Sequence, residues 1–222
     1  YEAITGQVRI ETIRGLPLLN INPDIITEYQ LFIKRAGDIF LAITALILFF
    51  PFYLLIALLV RMSSPGEILY KQVRVGLNGE TFVLIKFRTM FDDSEKTTGP
   101  IWAEEDDPRI TVIGKFLRKY HFDEIPQLLN VLRGDMSIIG PRPERPEIIE
   151  ELIKNIPYYP RRLKVKPGIT GWAQIMGAYD RSVVDVHNKL KLDFYYIENM
   201  SILLDLKIIF MTLWVVLRGG GH

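Results

Sequence analysis

The feature that most constrains this chain is an apolar run at 39–60. Across its 22 residues only Thr44 and Tyr53 carry polar side chains, and no charge interrupts it. As one helix the run would be about 33 Å long, enough to cross a hydrocarbon layer of about 30 Å. Pro51 stands near its middle. A proline there removes one backbone donor and crowds the preceding turn, so a kink or break is expected. Each half is then too short to cross alone. Cations flank the run on both sides, Lys34 and Arg35 before it and Arg61 after it, whereas a spanning helix usually shows asymmetric charge. The residues leave two readings open: a hairpin that enters one leaflet and returns, and a kinked spanning helix. The run lies too far from the start, and lacks the small-residue pattern, to be a cleaved signal peptide.

The rest of the chain must be read around this segment. At 222 residues it is long enough for one domain, or one domain and an appendage. Lys plus Arg is 27 and Asp plus Glu is 26, a net charge of +1, which argues against holding nucleic acid by charge. With no cysteine, disulfides, thiolate zinc sites, iron–sulfur clusters and cysteine nucleophiles are excluded. With 3 histidines, a polyhistidine metal site is disfavoured.

The pattern predicts an α+β chain that is mostly helical. Residues 7–13 alternate weakly, like a strand, before punctuation at Gly15, Pro17, Asn22 and Pro23. Residues 68–75 and 81–87 alternate as strands around Gly76, Asn78 and Gly79, a small β-hairpin. A polar loop at 92–108 holds the acidic stretch 104–107, expected to be solvated because its spacing matches no calcium loop. Short helices are expected at 111–119, from about Asp123 to Gly134, at 144–155 and at 183–199. A very apolar helix at 202–217 is interrupted by Asp205 and Lys207.

Chemistry concentrates in four places. Asp123-Glu124-Ile125-Pro126 is expected to open a helix, where Asp is a good cap and the helix dipole favours its ionised form. Asp123 then either caps, or attacks phosphorus or holds a metal, with Glu124 beside it in a different role. Residues 134–144, from Gly134-Asp135-Met136-Ser137 to Gly140-Pro141-Arg142-Pro143-Glu144, form a stiff loop before a helix. Arg142 between two prolines is either a phosphate clamp or a salt-bridge partner in a rigid connector. Lys164 and Lys166 precede Pro167-Gly168-Ile169-Thr170-Gly171-Trp172, where Trp172 could stack on a base or anchor at an interface. Lys86 and Arg88 end the second hairpin strand, as phosphate contacts or as a solvated edge. A membrane segment, cationic loops and one acidic pair together suggest phosphoryl transfer at a membrane face.

On these residues the chain resembles a known family, the bacterial sugar transferases, also called monotopic phosphoglycosyl transferases. The matching motifs are Lys34-Arg35-Ala36-Gly37-Asp38, Lys71-Gln72-Val73-Arg74-Val75-Gly76, Lys86-Phe87-Arg88-Thr89-Met90, and Asp123-Glu124-Ile125-Pro126-Gln127-Leu128. They continue through the 134–144 loop, Pro167-Gly168-Ile169-Thr170-Gly171-Trp172-Ala173-Gln174 and Leu192-Asp193-Phe194-Tyr195-Tyr196, covering about residues 34–217. The resemblance implies a re-entrant membrane helix broken at Pro51 and amphipathic interfacial helices around the active site. It implies transfer of a sugar-1-phosphate from a UDP-sugar to undecaprenyl phosphate, with release of UMP and a requirement for Mg²⁺. The mechanism implied is ping-pong. Asp123 is the nucleophile that becomes an aspartyl-phosphosugar, and Glu124, with Asp123, holds the metal. Lys86, Arg88, Arg118, Arg142, Lys166 and Asp193 fall on positions implied to bind substrate or phosphate. The place implied is the bacterial inner (cytoplasmic) membrane with the site on the cytoplasmic face, and homo-oligomerisation is left open.

The domains expected are a linker at 1–33, the re-entrant helix at 34–62 and a catalytic domain at 63–222 with an apolar C-terminal helix. Residues 1–33 resemble the linker that follows an extra N-terminal region in the family's long forms. With Tyr1 in place of Met, part of a longer protein of surface polysaccharide assembly is expected. Glucose or galactose is the sugar suggested. Two positions depart from the family pattern. Phe50 stands where small members place Ser before the helix-breaking proline, so the source of a partner for the freed carbonyl is not visible. Lys166 stands where many members carry Arg, which keeps the charge and loses the bidentate fork. Two other functions remain to be weighed, a lipid-phosphate phosphatase using the same acidic pair and a non-catalytic membrane scaffold for polysaccharide assembly.

Overall fold

The computed structural model describes residues 9–13, 16–20, 28–91, 107–177 and 183–218. The described architecture is mostly helical, with three two-stranded sheets. Strand β1 (Arg9–Ile13) pairs antiparallel with β2 (Leu16–Asn20). The second strand is not visible in the sequence because it contains Pro17. That proline, opposite Thr12, is tolerated because each strand of a two-stranded ribbon has a free edge.

The apolar run lies in two helices, α1 (Glu28–Leu48) and α2 (Phe50–Ser63), bent by 68°. Among the described residues no single helix is long and apolar enough to cross a membrane, but the bent pair passes that test together. The break falls at Phe49, and Pro51 sits in the first turn of α2. A proline is compatible with a first turn, and its ring crowds the turn before it, so the interruption appears upstream of the ring itself. The Tyr53 hydroxyl donates to the Ala45 carbonyl (3.0 Å), fastening the start of α2 onto the last turn of α1. The carbonyl that Pro51 leaves without its usual donor is that of Ile47, whereas Tyr53 adds a second donor at Ala45, which also accepts from the Phe49 amide (3.1 Å).

Strand β3 (Leu69–Val75) pairs antiparallel with β4 (Thr81–Phe87) through a turn in which Asn78 and Gly79 adopt positive φ. This hairpin is the seat of the bent pair. Ala42 of α1 packs with Leu84 near the middle of β4, while Ile56 and Val60 of α2 pack with Phe87 at its end. Helix α3 (Val112–Lys119) closes the second contact through Leu117, and Thr111 caps it by accepting from the Gly114 amide (2.9 Å). A Cβ at Gly114 would collide with the Thr89 carbonyl, so glycine lets the helix lie on the strand's exit.

Three local expectations need correction. The helix expected from Asp123 is α4 (Gln127–Arg133), and Phe122–Glu124 form a separate 3₁₀ turn ahead of it. His121 in the left-handed region (φ 56°) redirects the chain there, which propensity does not reveal. The loops at 134–144 and 164–172 each hold a short strand. Strands β5 (Ser137–Ile139) and β6 (Gly168–Thr170) pair in parallel, too short for a sequence pattern and possible only because Gly140 and Gly168 approach backbone to backbone. The acidic stretch is described only from Asp107, which is buried and holds Arg109 through both carboxylate oxygens. That hydrogen-bonded guanidinium lowers the Asp107 carboxyl to about 2.

The remaining helices are α5 (Pro146–Asn155), the short α6 (Trp172–Ile175), α7 (Val183–Glu198) and α8 (Ile202–Leu217). Val75 of β3 meets α5 and α7 in one apolar cluster, and Ile139 of β5 meets α7 and α8 in another. Asp205, which interrupts the apolar pattern of α8, accepts from Tyr196 (2.9 Å) and pairs with Lys34 (2.8 Å).

The polar start of α1 locks the apolar pair to everything else. Beside Lys34, Arg35 donates to the last carbonyls of α4, Val131 (2.6 Å) and Leu132 (3.0 Å). Asp38 accepts from the Ile138 amide of β5 (3.1 Å). Meanwhile Phe40, Ile47, Leu54 and Met62 of the pair, Val112 and Phe116 of α3, and Leu203, Phe210 and Trp214 of α8 are exposed. Removing the Arg35 fork leaves two helix-end carbonyls without it. Arg35→Gln is expected to destabilise the protein by about 1–3 kcal/mol, measured by thermal melts in detergent.

Candidate active site

The site forms where β4, the 3₁₀ turn and the 134–144 loop converge. Glu124 is 6% exposed, and its Oε1 accepts from Lys86 Nζ at 2.9 Å and from Arg142 Nη2 at 2.8 Å. Burial alone would push this carboxyl up; Arg142 and Lys86 outweigh burial and hold it well below the usual carboxylate range. The Arg142 guanidinium is correspondingly held above its ordinary range by Glu124, against the opposing effect of burial.

Asp123 differs from its neighbour. It is buried too, but neither the 3₁₀ turn nor α4 takes a side-chain cap hydrogen bond. The capping role and the helix-dipole argument both fall, because Asp123 does not stand at an α-helix N-terminus. Burial instead pushes its carboxyl up, with Glu124 adding to the rise and Lys86, Arg118 and His121 opposing it. Two adjacent carboxylates are thus driven in opposite directions, one locked by cations and one left poorly solvated.

The other expected residues divide. Arg118 belongs to the site: its Nε donates to Thr89 Oγ1 (2.9 Å), and its charge acts on Asp123. Arg88 is 7% exposed, so it is not a solvated edge. Its Nη2 donates to the carbonyl (2.7 Å) and hydroxyl (3.0 Å) of Ser64, tying β4 to the exit of α2 rather than reaching the acidic pair. Lys166 lies near Gly134 and Arg35, with Asp38 and Asp135 as its acidic surroundings. Burial and Arg35 lower its ammonium. Asp193 pairs with Arg162 (2.8 Å), both side chains 3% exposed, and that arginine in turn donates to the Arg142 carbonyl (3.0 Å). Trp172 packs beside Tyr195 and under Lys207.

The sequence reading missed His121, whose left-handed backbone sets the turn, and the arginines behind the loop. Arg74 reaches the Pro143 carbonyl (3.1 Å) and lies 3.7 Å from Glu144, which also takes Lys189 at 2.7 Å. Arg74 and Glu144 do lie inside quoted motifs, but nothing in their spacing marks them as partners.

Among the described residues there is no group of three or more His, Cys, Asp or Glu able to hold a metal ion. Asp123 and Glu124 stand side by side, and Mg²⁺ is usually held by one or two carboxylates together with substrate phosphates. The donor set fits a Mg²⁺ shared with a diphosphate and does not fit an all-protein cage.

Glu124 generates a stability prediction. Glu124→Gln leaves two cations without their common carboxylate. It should cost about 3 kcal/mol near neutral pH, toward the low end for a broken buried pair because the Arg142 side chain is 38% exposed. Since the folded carboxyl is held low, the wild-type advantage is complete above the unfolded value of about 4.3 and declines as pH falls below it. Denaturant melts at neutral and acidic pH measure both.

Comparison with known proteins gives a consistent assignment. The family model described as bacterial sugar transferase matches residues 29–219. The UDP-N-acetylgalactosamine-undecaprenyl-phosphate N-acetylgalactosaminephosphotransferase of Aeromonas hydrophila is 42% identical over 99% of this chain and 51% of its own length. The UDP-glucose:undecaprenyl-phosphate glucose-1-phosphate transferase of Escherichia coli K12 is 39% identical over 93% of this chain and 45% of its own. The exopolysaccharide production protein PSS of Rhizobium leguminosarum bv. phaseoli is 42% identical over 86% of this chain and 99% of its own length. The chain spans about half the length of the first two relatives. With the acidic pair, its two cations and the bent apolar helices in place, these matches lead to one conclusion: the chain belongs to the bacterial sugar transferase family.

Proposed function

We propose that this protein transfers a sugar-1-phosphate from a UDP-sugar to undecaprenyl phosphate, releasing UMP, as the first membrane step of surface polysaccharide assembly. The observation that carries this reading is the division of labour in the acidic pair: Glu124 is locked by Lys86 and Arg142, while Asp123 is buried beside it and caps no helix. Relatives named for undecaprenyl-phosphate sugar transfer supply the substrate class.

The reaction runs in two halves. A carboxylate oxygen of Asp123 attacks the phosphorus that bears the sugar. The Asp–O–P bond forms, the diphosphate P–O bond to UMP breaks, and UMP leaves with the electron pair. A phosphate oxygen of undecaprenyl phosphate then attacks the same phosphorus, and the Asp–O–P bond breaks to return the carboxylate. A poorly solvated carboxylate suits the first step, and splitting one transfer in two lowers each barrier. The split also lets a soluble nucleotide and a membrane-held lipid use one site in turn. Arg118 and Arg142 supply cationic charge at the transferring phosphoryl group. Glu124 with Asp123 would hold a Mg²⁺, whose chemistry there would be to neutralise diphosphate charge.

The bent pair, with its exposed apolar side chains, supports a bilayer location for this chemistry. As a re-entrant hairpin its exposed apolar side chains enter one leaflet, and Lys34 and Arg61 face the same compartment, the cytoplasm, at the bacterial inner membrane. Single cysteines at these two positions, in a chain without native cysteine, should react with an impermeant reagent from the same side of oriented vesicles. Labelling from opposite sides would sink the hairpin. Pro51→Ala should shift part of the population toward spanning.

The chemistry is tested with UDP-glucose, UDP-galactose and UDP-N-acetylgalactosamine, with and without undecaprenyl phosphate. UDP-sugar alone should release one UMP per site and leave a phosphosugar adduct on Asp123, detected by mass spectrometry. Asp123→Asn should fold normally, since Asp123 caps nothing, and lose turnover by about 10³-fold or more. Release of inorganic phosphate would instead indicate a phosphatase, and an Asp123→Asn protein with near-normal turnover would end the covalent mechanism.

A further inference from the structure

The backbone of the stretch 141–144, which carries Arg142, is held through its carbonyls. Pro141 and Pro143 have no N–H, so this stretch donates little and must be fixed by donors from outside. Four consecutive carbonyls each receive one. Pro141 accepts from the Gly168 amide (2.9 Å), Arg142 from Arg162 Nη2 (3.0 Å), Pro143 from Arg74 Nη1 (3.1 Å), and Glu144 from the Val75 amide (3.0 Å). The donor at Arg142 itself is a buried side chain. Arg162 is 3% exposed, and it also donates Nη1 to the Tyr159 hydroxyl (2.5 Å) and pairs through Nη2 with Asp193 (2.8 Å).

We propose that Arg162, oriented by Asp193 and Tyr159, is a positioning residue that fixes the backbone of Arg142 so that its guanidinium meets Glu124 and the transferring phosphate. The proposal rests on the reaction described above for the second of these contacts only. Arg162 does not touch the acidic pair, and its path to the site runs through one carbonyl. A fully buried ion pair is a poor way to gain stability, because desolvation offsets the attraction and apolar replacements of equal volume are often as stable. A guanidinium does what an apolar group cannot: it hydrogen-bonds a hydroxyl and a carbonyl in fixed directions while its charge stays opposite a carboxylate. Lysine keeps the charge opposite Asp193 and cannot hold both acceptors in that geometry. The arrangement also gives Asp193 a task at a distance from Asp123 and Glu124, on α7.

Two cycles test this. In the first, UMP release is measured for Arg162→Lys and Arg162→Gln, alone and combined with Arg142→Lys. If Arg162 acts through Arg142, Arg162→Gln lowers kcat/KM by about 10- to 100-fold in the wild-type background and by less than about 3-fold once Arg142 is already lysine. Arg162→Lys falls between, and Asp193→Asn shows the same dependence on Arg142. Arg161→Gln, a neighbour whose partner Glu198 lies 3.7 Å away on α7, leaves turnover near wild type. The second cycle uses thermal melts of Arg162→Lys and Glu124→Gln, singly and together, and needs no turnover. The combined loss should fall short of the sum by about 2 °C or more, because both remove the same Arg142 contact. Equal fold-losses in both Arg142 backgrounds, wild-type turnover in Arg162→Gln, or additive melts would overturn the inference. A wild-type protein that releases no UMP overturns the proposed reaction and leaves the melts to decide the positioning role. If Arg162→Gln does not fold, Arg162→Lys and Asp193→Asn carry the first cycle.

Discussion

A single carboxylate oxygen organises this protein. Glu124 Oε1 takes one cation from the hairpin and one from the proline-flanked loop, Lys86 at 2.9 Å and Arg142 at 2.8 Å. These groups come from segments 38 and 18 residues away in the chain. A buried charge is tolerated only when it is paired and hydrogen-bonded, so the pair, once buried, obliges the hairpin, the 3₁₀ turn and the loop to keep their relative places. Asp123 inherits that geometry as the preceding residue. Lys86 hydrogen-bonds Glu124 while its charge also acts on Asp123, yet burial still pushes the Asp123 carboxyl up, so the two neighbours are driven apart.

The outer framework serves the same point. The two apolar helices seat on β4 at Leu84 and Phe87, either side of Lys86, so the bend in the apolar segment and the position of the site lysine are set by one strand. Arg88, two residues on, ties that strand to Ser64 at the exit of α2. At the other end of the segment, Lys34, Arg35 and Asp38 each meet a different element, α8, α4 and β5. One helical stretch, polar at its start and apolar beyond, therefore docks into the catalytic body and presents a greasy exterior without a separate linker. The exposed apolar residues of α3 and α8 belong with that exterior, since soluble proteins rarely display so much apolar surface without a partner phase.

The charge network is layered. Nearest the acidic pair stand Lys86, Arg118 and Arg142, which are exposed enough to meet a ligand. Behind them, Arg162, Asp193 and Lys189 are buried and Arg74 and Glu144 half-buried, and they aim at backbone carbonyls or at one another. The first group suits phosphate, and the second keeps a proline-flanked loop from wandering. Counting cations in the sequence does not separate the two groups. They differ in what stands opposite them.

The sequence by itself determined the apolar segment and its interruption, because a 22-residue run with a proline in it has few outcomes. It determined the hairpin at β3 and β4, whose alternation and turn residues are local properties, and the helices α3, α7 and α8, whose spacing is regular. It also marked Asp123, Glu124, Lys86, Arg88, Arg118, Arg142, Lys166 and Asp193, through motifs rather than geometry. Tertiary structure alone decided the rest. The 3₁₀ turn replaced a helix start because His121 takes a left-handed conformation, which histidine tolerates better than most residues but which its sequence context does not announce. Strands β5 and β6 arose from the close approach of Gly140 and Gly168, residues 28 apart in the numbering and invisible to any local pattern. Above all, the fold sorted the cations: Arg88 went to Ser64, Arg162 to a backbone carbonyl, and Lys86 and Arg142 to Glu124. An isolated basic residue looks the same in any sequence, and only burial beside a particular carboxylate or carbonyl gives it a role, because the strength and direction of a charge's interactions depend on what excludes water around it.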